Sequence, residues 1–260
     1  MEKNQVKEIL EVSIAAGKIM LEHGAETMRV ENTIQRICCS RGLDVEIFTI
    51  PTGIFLSCDY NGELYSYVKR TKSHTIDLEI ISKINSFSRS FVNSDMTIEE
   101  ANQALKDILN TPHFKPIIVS LFGGLAGGFF TLTFGGNMLE AFSAFVTSFT
   151  VVSVVRFLGR YIGSFVRNAI GGMVNTLVAF ILILSFHNIG IQLELSNIVI
   201  GSLMPLVPGV AITNAFRDSI TGDFVSGVSK LTEAVLAAIA IALGVGVVLH
   251  IKVIVTGSVI

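Results

Sequence analysis

The sequence predicts an α-helical polytopic membrane protein, with about five transmembrane helices preceded by a small α+β domain of order ααβββαα. Three observations lead there. Half of the residues are apolar, only 15% are charged and the mean hydropathy is +0.64, a composition rare among soluble domains of this length. Charge is also segregated, because residues 1–115 hold 13 of the 19 Lys and Arg and 16 of the 21 Asp and Glu. From Pro116 onward the chain reads as apolar runs of roughly 20 residues separated by short polar or glycine-rich breaks.

The polar part, residues 1–112, opens with a helix over 5–22 whose stripe is Val6, Ile9, Leu10, Met20 and Leu21, closed by His23 as a cap and Gly24 as the stop. A second helix, from about Thr27 to Arg41, carries Val30, Ile34, Ile37 and Cys38 on one face and stops at Gly42. Glu26, Arg29 and Glu31 crowd its start. They read either as a solvated, dipole-matched first turn or as a contact surface or small anion site. Three β-branched and aromatic runs follow, LDVEIFTI, TGIFLSCD and ELYSYVKR, the last two joined through Tyr60-Asn61-Gly62, where Asn-Gly suits a tight hairpin turn. Helices over 77–91 and 97–109 complete the domain, the second opened by a capping box from Thr97 to Glu100. Cys38, Cys39 and Cys58 have no metal-ligand spacing and read as buried, reduced thiols. The domain lacks a Gly-rich phosphate loop, an HExxH and a GxSxG, so no catalytic set, cofactor or metal is expected. A net charge of −2 without a basic stripe argues against nucleic acid as a partner.

The remainder, residues 113–260, reads as spans over 116–134, 138–158, 169–186, 196–217 and 231–251, each about 30 Å long at 1.5 Å per residue. Arg156, Arg160 and Arg167 gather between spans two and three, and Arg217 and Lys230 flank the connection between four and five. The other connections carry no Lys or Arg. The positive-inside rule therefore places the N-terminal domain in the cytoplasm and the C-terminus outside, with Lys252 the one dissenter. The charged start of the chain, without an apolar secretory segment, points the same way. Gly123, Gly124, Gly127 and Gly128 in span one, and the small residues of AVLAAIAIALGVG in span five, predict close helix packing with lipid around it.

Span four contradicts its own hydrophobicity. PLVPGVAITNAFRDSITGDF places Pro205 and Pro208 inside an apolar run, followed by Asn214, Arg217, Asp218 and Asp223. Neither proline has an N–H to give, so the carbonyls of Gly201 and Met204 are expected to be freed about midway along the span and to need a polar cavity. Gly209 is expected to admit a close neighbour. Asn214 and Asp218 share a helix face, as do Thr213 and Arg217. Ionisable groups at such depth mark a substrate or ion path, to which Arg156 is added as a holder of an anionic group or a partner of Asp218. Asp218 is the candidate for proton coupling or amine recognition. Asp223, after Gly222, is the second candidate and alternatively a helix cap.

VPGVAITNAFRDSITGDFVSGVSKLTEA resembles the signature of the threonine/serine exporter family, and HGAETMRVENTIQRICCSRGLDVEIFTIPTGIFLS is similar to that family's cytoplasmic domain. The likeness covers nearly the whole chain. Single-chain members carry a second hydrophobic bundle, whereas this sequence stops at Ile260, so it is similar to the larger, YjjP-type half of split two-subunit exporters. The resemblance implies a transport subunit rather than an enzyme, working with a smaller YjjB-type membrane subunit. The implied activity is efflux of threonine, serine or dicarboxylates such as succinate across the plasma or inner membrane, driven by the proton gradient. By residue, it carries over to Pro208, Gly209, Asn214, Asp218, Gly222, Asp223 and Gly227. The alternative is a membrane-anchored sensor or scaffold whose cytoplasmic domain binds a ligand or partner.

Overall fold

The computed structural model describes residues 1–71, 75–112 and 114–256; position 113, where the sequence boundary falls, and the last four residues lie outside them. The described chain forms two compact units. One is Met1–Pro112 together with Gly209–Glu233, and the other is the described part of His113–Pro208 and Ala234–Ile260.

In the first unit, helices α1 (Lys3–Glu22) and α2 (Thr27–Cys39) lead into a meander of β1 (Glu46–Ile50), β2 (Gly53–Tyr60) and β3 (Glu63–Arg70), followed by α3 (Leu78–Asn93) and α4 (Ile98–Leu109). This is the α+β order read from the sequence. The apolar stripes of α1 and α2 bury Val6, Leu10, Met20, Val30, Ile34 and Ile37, which pack with Ile54, Ile84 and Phe91 into one core. The sheet order is β1-β2-β3, both pairs antiparallel, with Phe48 opposite Phe55 and Asp59 opposite Leu64. Asn61 and Gly62 take φ of 55° and 79°, the left-handed pair that a two-residue hairpin turn needs. Thr97 and Glu100 close the predicted capping box, and the His23 ring meets the Ile19 carbonyl at 2.6 Å as a C-terminal cap. α2 ends at Cys39, two residues before the expected Arg41, and Cys39 is exposed, not buried as its spacing suggested. Cys38 is buried, donates to the Ser13 hydroxyl at 3.2 Å, and burial pushes its thiol up to about 12.

The second unit contains α5 (Pro116–Thr133), α6 (Met138–Leu158), α7 (Ser164–His187) and α8 (Leu195–Leu203). The next helices are α9 (Gly209–Ile220) and α10 (Phe224–Thr256). The chain of α10 runs from the first unit into the second. Among the described residues four helices are long and apolar enough to cross a membrane: Pro116–Thr133, Met138–Leu158, Ser164–His187 and Phe224–Ile254. The bent pair Leu195–Leu206 and Gly209–Ile220 makes a fifth if it is one span. Glycines let backbones touch in this bundle. A Cβ on Gly124 would lie 2.9 Å from the Phe145 carbonyl oxygen and one on Gly128 3.0 Å from that of Ala141, so α5 lies directly on α6. A Cβ on Gly123 would meet Val152 at 2.7 Å, and one on Gly127 would meet Ser148. α7 and α10 touch in the same way, where a Cβ on Gly244 would overlap the Ala169 carbonyl.

Candidate functional site

The predicted break is present, and its carbonyls are not free. α8 stops at Leu203, Met204–Leu206 tighten into a 3₁₀ turn that contains Pro205, and Val207 is extended ahead of Pro208. The Met204 N–H donates to the Gly201 carbonyl, and the Val207 N–H donates to the Met204 carbonyl at 3.2 Å. Bonds of the i→i+3 kind thus satisfy both carbonyls that the prolines leave behind, and the break by itself does not require a polar cavity. The space around Gly209 is open, so no neighbour approaches there. The glycine that does admit a close contact near the break is Gly201, which faces Thr131 of α5.

Beyond the break, α9 and α10 form a tight helical hairpin. Gly222 at φ 94° reverses the chain, the Asp223 N–H donates to the Asp218 carbonyl at 2.8 Å, and a Cβ on Gly227 would lie 2.9 Å from the Ala215 carbonyl oxygen. The Asp223 carboxylate accepts from the Ser226 N–H at 3.3 Å, the N-terminal cap of α10.

The polar side chains of this hairpin meet the turn between α1 and α2. The Asn214 amide donates to the Gly24 carbonyl at 2.9 Å, and Arg217 pairs with Glu26. The Lys230 ammonium lies 2.7 Å from Asp218 Oδ2 and 3.3 Å from the Ala25 carbonyl oxygen. Asp218 is 1% exposed and Lys230 12%, so this is a desolvated ion pair. Within the first unit Asp218 thus takes Lys230 as its partner; in the second unit Arg156 stands exposed in the last turn of α6.

Glu31 adjoins the same place. Its Oε1 accepts from the Thr49 N–H at 2.8 Å, while the Thr49 carbonyl faces the Ser226 hydroxyl at 3.5 Å. Burial raises the Glu31 pKa, and the charges of Asp223 and then Asp218 push in the same direction against the Thr49 N–H bond. Of the three charged residues crowding the start of α2, Glu26 and Glu31 thus serve as contacts, and Arg29 is exposed.

The second unit has polar residues that sequence reasoning passed over. Glu140, 3% exposed at the start of α6, accepts from the Asn137 and Glu194 N–H groups at 3.0 and 2.8 Å and from the Asn197 amide at 3.0 Å. The spacing Asn137-x-x-Glu140 is a capping-box signal that was legible in the chain. Deeper in the bundle, the Ser202 hydroxyl donates to Asn175 Oδ1 at 2.8 Å, and the Asn175 amide donates to the Val199 carbonyl at 3.3 Å. Both side chains are fully buried. They join α7 to α8 one turn ahead of the break, and only an Asn amid the apolar residues of α7 hinted at this.

Residues 11–252 match the family described as "Putative threonine/serine exporter". The "Threonine/serine exporter" of Corynebacterium glutamicum is 25% identical over 94% of this chain and 51% of its own length. The "Probable threonine/serine exporter" of Mycobacterium tuberculosis is 23% identical over 92% of this chain and 45% of its own. The chain thus spans about half the length of these two relatives. The "Probable succinate transporter subunit YjjP" of Klebsiella aerogenes is 23% identical over 94% of both chains. No solved structure matches.

Proposed function

Because this chain belongs to the threonine/serine exporter family, we propose that it is one subunit of a secondary transporter that moves small zwitterionic or anionic metabolites out of the cell. Threonine, serine and a dicarboxylate such as succinate are the candidates, since the relatives' names divide between them. In this reading the N-terminal domain lies in the cytoplasm and the C-terminus outside, the proton gradient drives efflux, and a smaller membrane subunit completes the transporter. A relative that is matched over nearly its whole length and carries the name of a subunit supports the last point.

The observation that carries the proposal is the break between α8 and α9, set beside buried and hydrogen-bonded Asn175 and Ser202 in a bundle of membrane-length helices. A discontinuous helix with polar groups next to it is how secondary transporters build sites at membrane depth. A pure anchor has no use for either. Arg156 is assigned to an anionic group of the substrate, and Asp218 is the carboxylate whose charge matters for coupling, with Asp223 as the cap of α10.

The test is efflux from proteoliposomes loaded separately with threonine, serine and succinate, with and without a co-purified smaller subunit. Export of at least one substrate that needs both subunits and follows an imposed pH gradient is the expected result. Robust export by this chain alone removes the two-subunit reading, and absence of export under all conditions removes the transporter reading. Within the working pair, Asp223→Asn keeps its rate because Asn also caps helices, whereas Asp218→Asn loses its pH dependence.

A further inference from the structure

Among the described residues four buried side-chain polar atoms have no hydrogen-bond partner: Thr27 Oγ1, Thr49 Oγ1, Asp218 Oδ1 and Arg167 Nε. Three of the four belong to one neighbourhood of the first unit. Thr27 and Glu31 lie one turn apart on the same face of α2, and Glu31 holds the Thr49 N–H. The Thr49 hydroxyl sits beside the same carboxylate, close enough to draw its pKa down somewhat but outside hydrogen-bonding geometry. Asp218 is tied through Lys230 to the Ala25 carbonyl, two residues before Thr27. Thr27 and Thr49 are fully buried and Asp218 is 1% exposed, so solvent at the surface does not satisfy these oxygens. A buried polar group without a partner is rare and costs free energy, and a concentration of them calls for something that binds there.

The charge of the neighbourhood says what kind of group that is. Arg217 is paired with Glu26 and Lys230 with Asp218, while the charges of Asp223 and Asp218 both act on Glu31, so the four acids here outnumber the two cations paired with them. The available atoms are carboxylate and hydroxyl oxygens, hard ligands without a thiolate or imidazole. No group of three or more His, Cys, Asp or Glu is gathered as for a metal among the described residues, and an ammonium already occupies Asp218, both of which disfavour a divalent ion.

We propose that Thr27, Thr49, Asp218 and Glu31 hold a small monovalent cation of the Na⁺ class, which fastens the α9–α10 hairpin to the α1–α2 turn. The cation takes Asp218 Oδ1 while Lys230 keeps Oδ2, so the two positive charges share one carboxylate from opposite sides.

The experiment uses the purified full chain in detergent, melted at constant ionic strength in NaCl, KCl or choline chloride across a pH series. In a Cys39→Ser background, which removes the exposed thiol, a thiol-reactive dye reports unfolding, because Cys38 and Cys58 are buried in the folded chain. Sodium at about ten times its dissociation constant is expected to raise the melting temperature by about 3–6 °C over choline. Asp218→Asn is the obvious variant, but it also disrupts the Lys230 pair, so the deciding variants are Thr27→Val and Thr49→Val, which keep the volume and remove only the hydroxyls. Both are expected to lose most of the sodium increment. If the hydroxyls hold no ion, each valine removes an unsatisfied buried group and the variants melt higher in every salt with the increment unchanged, which overturns the proposal. Equal melting in sodium and choline overturns it in favour of bound water, and a response to pH alone overturns it in favour of a proton on Glu31.

Discussion

Lys230→Met tests whether the Asp218–Lys230 pair holds the α9–α10 hairpin in place. Methionine keeps most of the length and apolar stem of lysine and removes the ammonium. In the variant, Asp218 stays 1% exposed with neither carboxylate oxygen paired, because Oδ2 loses its 2.7 Å contact and Oδ1 has no protein partner to begin with. Removing one member of a buried pair leaves an uncompensated charge and costs about 3–5 kcal/mol. At about 2–4 °C per kcal/mol for chains somewhat under this size, the expected fall in melting temperature is about 6–20 °C. Asp218→Asn/Lys230→Met removes both charges and is expected to recover more than half of that loss. The two single variants and the double variant form a cycle that isolates the pair. The assay is the thiol-dye melt in detergent, with circular dichroism to confirm that helix content survives. A Lys230→Met protein that melts with the wild type refutes the reasoning, because it shows that Asp218 finds water or another partner without displacing the hairpin.

Three further outcomes are expected. Glu31 has a raised pKa in the folded chain, so its contribution to stability is fully present below the ordinary value of 4.5 and is lost as pH rises through the raised one; Glu31→Gln, which can still accept the Thr49 N–H, flattens that decline in melts run from acid to neutral pH. Gly244→Ala is expected to destabilise by about 1–3 kcal/mol because the new methyl meets the Ala169 carbonyl, whereas Gly246→Ala, with open space around it, leaves the melt unchanged or slightly raised. Arg156→Lys keeps a positive charge but loses the planar fork, and if the guanidinium holds an anionic group it lowers efflux about tenfold or more at equal protein level; normal transport returns Arg156 to an interfacial charge.

What was legible in the chain was local. The Asn61-Gly62 turn, the Thr97 capping box, the His23 cap and the stripes of α1 and α2 depend on residues within a few positions of one another, and each takes the form its pattern implies. The proline break was legible as a break, but not its consequence, because whether Gly201 and Met204 find i→i+3 donors depends on how the turn tightens. Partners far apart in sequence left no such trace. Asn214 and Gly24 are 190 residues apart, and nothing in the spacing of Lys230 marked it as more than a charge at a membrane edge. Glu140 is inconspicuous for a different reason: a single acid at the start of an apolar span barely alters the hydropathy of the run.

The two stretches that carry the family resemblance are the two sides of one contact. HGAETMRVEN supplies the Gly24 and Ala25 carbonyls and the Glu26 carboxylate, and ITNAFRDSITGDFVSGVSK supplies Asn214, Lys230 and Arg217 to meet them. Within the second stretch the roles divide by chemistry. Gly222, Asp223 and Gly227 shape the hairpin, through a left-handed turn, a cap and a close helix approach, while Asn214, Arg217 and Lys230 fasten it. The stretch that resembles the family signature therefore encodes the docking of the α9–α10 hairpin onto the turn between α1 and α2. Buried polar residues within the bundle itself, Glu140, Asn175 and Ser202 among them, fall outside those two stretches. It follows that loss of transport in an Asp218 or Lys230 variant is evidence for a coupling role only when the melt shows the hairpin still docked, whereas Ser202→Ala, whose hydrogen-bond partners are Asn175 and carbonyls of α8, probes the polar groups beside the break and leaves the hairpin's ion-pairing side chains in place.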